Sequence, residues 1–203
     1  MSVPLELEAI ATEVADCTQC KLHQSRKMAV PGEGPADAEL MFIGEGPGFH
    51  ENEQGRPFVG AAGKFLEELL ESIGLTREQV FITNIVKCRP PGNRDPQPAE
   101  IEACSEYLER QTGSLNPKAI VTLGRFSMAR FFPNARISAI HGKPQRIGNR
   151  VVVPMYHPAA ALHRPSLRAT IQADFARLPE LIGREARPIR AEDPPNAEQL
   201  SLF

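Results

Sequence analysis

Four cysteines carry the most reactive side chains of this 203-residue sequence: Cys17, Cys20, Cys88 and Cys104. Cys17 and Cys20 form a C-x2-C pair, a spacing that lets two thiolates grip one metal centre. Cys88 and Cys104 lie far downstream, the first after an apolar run and the second inside an amphipathic one. Four thiolates suit zinc or an iron–sulfur cluster, because both accept tetrahedral sulfur, and spacing does not separate the two. The competing reading is a redox pair in the C-x2-C beside two unrelated buried thiols.

A second constellation can bind and act on a small polar group. GEGPG, residues 44–48, holds three glycines that let backbone N–H groups approach a ligand closely. It lacks the Lys-Ser/Thr ending of a phosphate-binding P-loop. Glu45 and Glu51 supply carboxylates in the same stretch, and Phe58 in RPFVG supplies a flat apolar face. Asn84 and His157 each close a later apolar run. Taken singly, each has an ordinary structural use, as a cap, a core ring or a satisfied histidine.

These residues act together only if the fold gathers them. Continuous apolar runs predict strands at 39–44, 80–86, 119–124 and 151–157. Apolar residues at helical spacing predict helices at 5–15, 61–73, 98–111, 126–132 and 167–182, with Gly74 as a left-handed cap. Alternating strands and helices, with strands apolar throughout, give an α/β fold whose parallel sheet is covered on both faces. Such sheets bind ligands at the carboxyl ends of their strands, where Glu45, Glu51, Phe58, Asn84 and His157 all fall.

Charge and composition set the remaining bounds. The net charge is −2. Residues 1–16 hold four acids and no Lys or Arg, and 180–203 hold five acids and three Arg, leaving 20 basic against 16 acidic residues between them. The middle therefore allows a modest phosphate-binding face. No apolar run is long enough to span a bilayer, and the N-terminus lacks the basic region of a signal peptide, which implies the cytoplasm. From about residue 184 the chain is rich in Pro, Glu and Ala without apolar period, and it reads as a flexible tail (184–203) behind one domain (1–183).

GEGPGFHENEQGRPFVG, TNIVKCRPPGNR and HPAAAL, with the four cysteines around them, resemble the family 4 uracil-DNA glycosylases over about residues 14–180. The resemblance implies a three-layer αβα sandwich with a central four-stranded parallel sheet. It selects a [4Fe–4S] cluster on Cys17, Cys20, Cys88 and Cys104, and a uracil-DNA substrate flipped from its stack. Phe58 then stacks on the base. Asn84 pairs with its O4 and N3 edge, and His157 donates to O2, with backbone N–H groups near Gly46 beside it. Glu45 and Glu51 compete to orient the attacking water, since the wider superfamily often has an Asp where Gly46 stands. Glu51 has a second expected use, crowding the methyl of thymine. Asn52 departs from the Asp often found at its position. Leu162 is the candidate to plug the gap left in the DNA, with a place in the core as the alternative. Arg89, Arg94, Lys143 and Arg164 are candidate phosphate contacts. CRPPGNRDPQP passes straight into the next helix, without the basic insertion of relatives that trap DNA covalently, which implies turnover.

The last five residues, QLSLF, resemble the bacterial sliding-clamp-binding peptide. Leu200, Leu202 and Phe203 can fill an apolar pocket while Gln199 sets register. The expected molecule is thus a monomeric, nucleoid-associated bacterial enzyme of base excision repair, acting on single- or double-stranded uracil-containing DNA. The competing classes are a glycosylase of broader base range and a non-catalytic, metal-stapled DNA-binding module.

Overall fold

The computed structural model describes residues 2–183, so the C-terminal stretch with Gln199, Leu200, Leu202 and Phe203 lies outside the described residues. The chain opens with helix α1 (Val3–Asp16), followed by β1 (Leu40–Gly44), α2 (Phe49–Gln54), α3 (Ala61–Glu71) and β2 (Phe81–Asn84). Then come α4 (Pro98–Leu115), β3 (Ala119–Leu123), α5 (Arg125–Ala129), α6 (Ile137–Ile140), β4 (Gln145–Ile147) and β5 (Arg150–Met155). Helices α7 (Ala159–His163), α8 (Leu167–Ala176) and α9 (Leu178–Leu181) complete it.

The strands form one sheet in the order β2-β1-β3-β5-β4. β1 pairs in parallel with β2 and β3, and β3 in parallel with β5. Successive residues of a strand face opposite sides, so each apolar run feeds two cores. Leu40 and Phe42 of β1 pack with Leu66, Leu70 and Phe175 under α3 and α8. Met41 and Ile43 pack on the other side with Ile10, Val14 and Leu108, under α1 and α4. Apolar side chains on both faces explain why these strands lack polar alternation.

The sheet departs from the expected four parallel strands by one edge strand. β4 pairs antiparallel with β5 through a tight turn at Gly148, which has φ 62°. Its three residues are exposed and make no apolar run, so the pattern that marks buried strands missed it. β2 ends at Asn84, earlier than its apolar run, and α4 continues to Leu115, where Asn116 closes it with φ 42°. The expected final helix breaks at Arg177, just before Pro179. Among the described residues no helix is long and apolar enough to cross a membrane.

Candidate active site

The parallel strands end side by side, Gly44 directly beside Asn84 in register. A Cβ at Gly44 would lie 2.4 Å from the Asn84 amide oxygen and 2.7 Å from the Phe58 ring. Glycine at this strand end is what lets amide and ring close on one spot. Beyond it opens a cleft of about 660 Å³ whose walls include Glu45, Gly46, Glu51, Phe58, Asn84 and His157. The structure therefore brings together every residue that the sequence singled out for base binding or catalysis.

Asn84 is 1% exposed, and its Oδ1 is buried with no hydrogen-bond partner among the described residues. A buried amide oxygen left unpaired carries a desolvation cost of about 1–3 kcal/mol, which a ligand N–H would relieve.

Phe58 adopts φ +53°, a left-handed backbone that a bulky residue takes only when its surroundings impose it. Two side chains do so. Behind it, the Arg77 guanidinium donates to the carbonyl oxygens of Pro57 at 2.6 Å and Phe58 at 2.9 Å. Glu33 and Glu67 hold that guanidinium in turn. Ahead of it, Glu51 Oε1 accepts the backbone N–H groups of Val59 and Gly60, both at 2.8 Å. Gly63 completes the seat, since a Cβ there would lie 1.9 Å from the Phe58 carbonyl oxygen.

The other Glu51 oxygen accepts the N–H of Gly48, the residue before α2, at 3.1 Å. Both oxygens of Glu51 are thus taken by backbone donors. Glu45 differs. Burial, with the Asp95 carboxylate nearby, raises its pKa to about 6, against the opposing pull of Arg125. Of the two competing acids, Glu45 is the one with titratable chemistry to spare near neutral pH.

His157 follows β5, and its ring stacks against Phe58 with centroids 5.4 Å apart at 25°. The two rings touch and form one wall, with no room for a base between them. The Ala159 N–H donates to His157 Nδ1 at 3.1 Å, so the ring proton sits on Nε2. Burial pushes the pKa down to about 4, with Glu51 pulling the other way. His157 is therefore a neutral imidazole that keeps an N–H donor at ordinary pH.

The basic candidates fare unequally. Arg94 lines the cleft and is exposed there, and its guanidinium forks onto the buried Glu100 at 2.6 and 2.9 Å, an ion pair that leaves it less charge to offer a phosphate than Arg89. Arg89 and Lys143 stand near exposed surface: Arg89 Nε donates to Asn93 Oδ1, and Lys143 Nζ to the Ala139 carbonyl oxygen. Arg164 is exposed just beyond α7. Leu162, on α7, is 46% exposed on the cleft, which excludes its alternative place in the core, while Ala161 beside it is buried.

The four cysteines converge elsewhere. Cys17 and Cys20 follow α1, Cys88 follows β2, and Cys104 lies in α4, yet all line one small cavity of about 10 Å³. None is in a disulfide. Arg26 ties the cradle together by donating to the Cys17 carbonyl at 2.8 Å, the Ala15 carbonyl at 2.5 Å and Cys88 Sγ at 3.3 Å. The backbone N–H of Lys87 donates to Cys104 Sγ at 3.3 Å. Among the described residues no three His, Cys, Asp or Glu side chains are grouped to hold a metal ion. The thiols instead surround a space, and N–H groups point at two of them, a donor set that fits a sulfur-ligated cluster.

Sequence reasoning missed Arg77, Asp95 and Arg26. Arg77 sits in an ordinary polar turn, and its partners Pro57 and Phe58 are about twenty residues away. Asp95, ion-paired with Arg125, reaches the cleft from the loop before α4. Arg26 carried one usable signal, its closeness in sequence to Cys20.

Comparison with known proteins agrees with this geometry. Residues 31–178 match the family model of the uracil DNA glycosylase superfamily. A type-4 uracil-DNA glycosylase of Sulfurisphaera tokodaii is 51% identical over 185 residues, covering 86% of this chain and 84% of the relative. Type-4 uracil-DNA glycosylases of Archaeoglobus fulgidus and Saccharolobus solfataricus are each 48% identical, over 88% and 92% of this chain and 94% and 90% of their own lengths. With similarity along nearly the whole described chain, this protein belongs to the uracil DNA glycosylase superfamily and, within it, to the type-4 family.

Proposed function

We propose that this protein excises uracil from DNA, hydrolysing the N-glycosidic bond of a flipped nucleotide to leave an abasic site and start base excision repair. One observation carries the reading: Phe58, Asn84 and His157, distant in sequence, share one cleft in which the buried Asn84 oxygen lacks a partner. Uracil offers an N–H at N3 to that oxygen. Cytosine offers a lone pair there instead, and the mismatch is costly in a buried site.

In this mechanism the base stacks on Phe58 and turns its O2 to the edge of the His157 ring. As the bond from C1′ to N1 breaks, its electron pair moves onto the base and negative charge gathers at O2. The His157 Nε2–H donates to that oxygen, a neutral donor that needs no proton transfer. Backbone N–H groups near Gly46 add to the same stabilisation. Glu45, ionised above about pH 6, orients water towards C1′ and offsets the positive charge of the sugar. The water oxygen bonds to C1′ and gives up a proton to solvent, and the departing uracil anion takes one up, so that OH is added to the sugar and H to the base. Glu51 contributes as a positioning residue, through the backbone on either side of Phe58. Arg89, Lys143 and Arg164 make the phosphate contacts, and Leu162 enters the gap left by the flipped base.

Cys17, Cys20, Cys88 and Cys104 hold a [4Fe–4S] cluster, which supplies a cross-link between α1, the loop after β2, and α4. The C-terminal QLSLF, through Gln199, Leu200, Leu202 and Phe203, docks the enzyme on the bacterial sliding clamp at the nucleoid, and the enzyme acts as a monomer in the cytoplasm. Removing residues 199–203 should abolish clamp binding and leave excision on free oligonucleotides unchanged.

The decisive experiment incubates the protein with oligonucleotides carrying one uracil, cytosine, thymine or hypoxanthine, then cleaves abasic sites with alkali. Cleavage at uracil alone is expected. No cleavage at any base, with DNA still bound, would replace the enzyme by a binding module, and cleavage at hypoxanthine would widen the substrate class. Asn84→Ala should lower kcat/KM for uracil by about 10- to 100-fold.

A further inference from the structure

Among the described residues, two large exposed apolar side chains stand on the cleft, and of these Leu162 alone has a role so far. The other is Phe49, 53% exposed, the first residue of α2 and part of the cleft lining. The other large apolar side chains of comparable exposure among the described residues, Leu5, Met28 and Ile147, do not line the cleft. Phe49 follows β1, while Leu162 follows β5, and β3 lies between those strands. The two therefore reach the cleft from different walls.

Phe49 has a cation at its back. The Arg89 guanidinium carbon lies 5.3 Å from the ring centroid. Arg89 is held in place by its Nε bond to Asn93 Oδ1 at 2.7 Å, and Asn93 also lines the cleft. Its two terminal nitrogens make no hydrogen bond or ion pair among the described residues, whereas Arg56, Arg77, Arg94, Arg110 and Arg125 each spend theirs on a carboxylate. An exposed flat ring beside an unspent guanidinium has the chemistry of a nucleotide site: a π-face for a base and a planar donor fork for a phosphate.

The proposed reaction creates a ligand for it. Flipping one nucleotide strips its neighbours of a stacking partner and exposes the face of a flanking base to water. We propose that Phe49 stacks on the nucleobase immediately flanking the flipped uracil, while Arg89 contacts the phosphate of that flanking nucleotide. This subsite rests on the uracil-DNA reading above and is separate from the base pocket of Phe58, Asn84 and His157. It makes the protein sensitive to what lies next to the uracil without reading its hydrogen-bonding edge, since every base has a π-face.

The test pairs a protein deletion with a DNA deletion. Single-stranded oligonucleotides carry one uracil and either normal neighbours or a tetrahydrofuran abasic residue on its 5′ or its 3′ side. Binding is read by fluorescence anisotropy, and excision by single-turnover rates. Wild-type protein should lose on the order of 10-fold with one of the two abasic oligonucleotides. Phe49→Ala should lose a similar factor with normal neighbours and show no further loss with that abasic oligonucleotide, while Phe49→Trp stays near wild type. Equal urea midpoints check that the exposed substitution leaves the fold intact. The proposal is overturned if Phe49→Ala matches wild type on normal DNA. It is equally overturned if the abasic penalty survives in full in Phe49→Ala. A change only in sedimentation, with DNA behaviour intact, would overturn it in favour of contact with another protein chain. If wild type cleaves no uracil, the parent reading fails, and the anisotropy arm still decides whether Phe49 stacks on DNA.

Discussion

Arg77 holds Phe58 in its left-handed backbone from behind, donating Nη1 to the Phe58 carbonyl oxygen at 2.9 Å while Nη2 reaches Pro57 at 2.6 Å. Arg77 is only 10% exposed and does not line the cleft, yet it fixes where a cleft-lining ring points. With Glu51 taking the next two N–H groups, four consecutive residues around the ring are pinned through their backbone.

Arg77→Lys keeps the charge and loses the fork. It should destabilise the fold by about 1–3 kcal/mol, because carbonyl oxygens and Glu33 are left short of donors. Urea denaturation reads this. A fall in kcat/KM for uracil DNA beyond the loss in folded protein should accompany it, as Phe58 gains freedom. Unchanged kinetics in the folded fraction would remove Arg77 from the positioning of Phe58.

Glu45 should set the acid limb of the pH–rate profile. With a pKa raised to about 6, chiefly by burial and then by Asp95, it is protonated below that pH, and kcat/KM should fall about tenfold per pH unit there. Asp95→Asn removes a raising influence and should move the limb to lower pH. Glu45→Gln should flatten it at a low rate. Stability moves the opposite way. The folded state disfavours the ionised group, so the Gln variant should gain over wild type above pH 6 and match it below about 4.5.

His157→Ala should cost about 10²–10³ in rate by removing one donor to the departing base. Because its pKa is pushed down to about 4, wild type should show no separate limb from His157 between pH 5 and 8. The sign for stability follows. The folded state resists protonation, so this group favours folding fully above pH 6.5, and the effect is lost as pH falls towards 4. Denaturation midpoints of wild type against His157→Gln over that window measure it.

Iron removal, or Cys88→Ser, should bleach visible absorption near roughly 400 nm. It should also loosen α1, whose link to the body otherwise rests on Ile10, Val14 and the ion pairs of Glu6 and Glu13 with Arg110 of α4. Amide exchange at Ile10 and Val14 should speed up at least about tenfold while β1 and β3 stay protected. Uniform acceleration across the sheet would instead mean that the cysteines hold up the whole fold.

The parallel strands were legible because both faces are buried, which writes a continuous apolar run into β1, β3 and β5. α3 was legible through Phe65, Leu66, Leu69 and Leu70 on one face, and its end through Gly74 at φ 71°. β4 was not, because an exposed edge strand of Gln145, Arg146 and Ile147 needs no apolar residues and is made by pairing with β5. α7 was missed for a related reason. It is a single short turn of helix, too brief to display a period, and it was left as loop although it carries Leu162.

At the site, residue type by itself named the candidates: a ring, an amide, an imidazole and two acids at strand ends, and four thiols elsewhere. Sequence alone left Glu45 and Glu51 level and counted Arg89 and Arg94 alike. The tertiary structure separated each pair, because what a charged or polar group can do depends on who has already claimed its lone pairs and protons. Backbone N–H groups at 48, 59 and 60 occupy Glu51, Glu100 occupies Arg94, and the Ala159 N–H chooses the tautomer of His157. Residue type fixes the chemistry a group is capable of. Burial and hydrogen-bond partners, several of them brought from distant parts of the chain, decide whether that chemistry is free to be used.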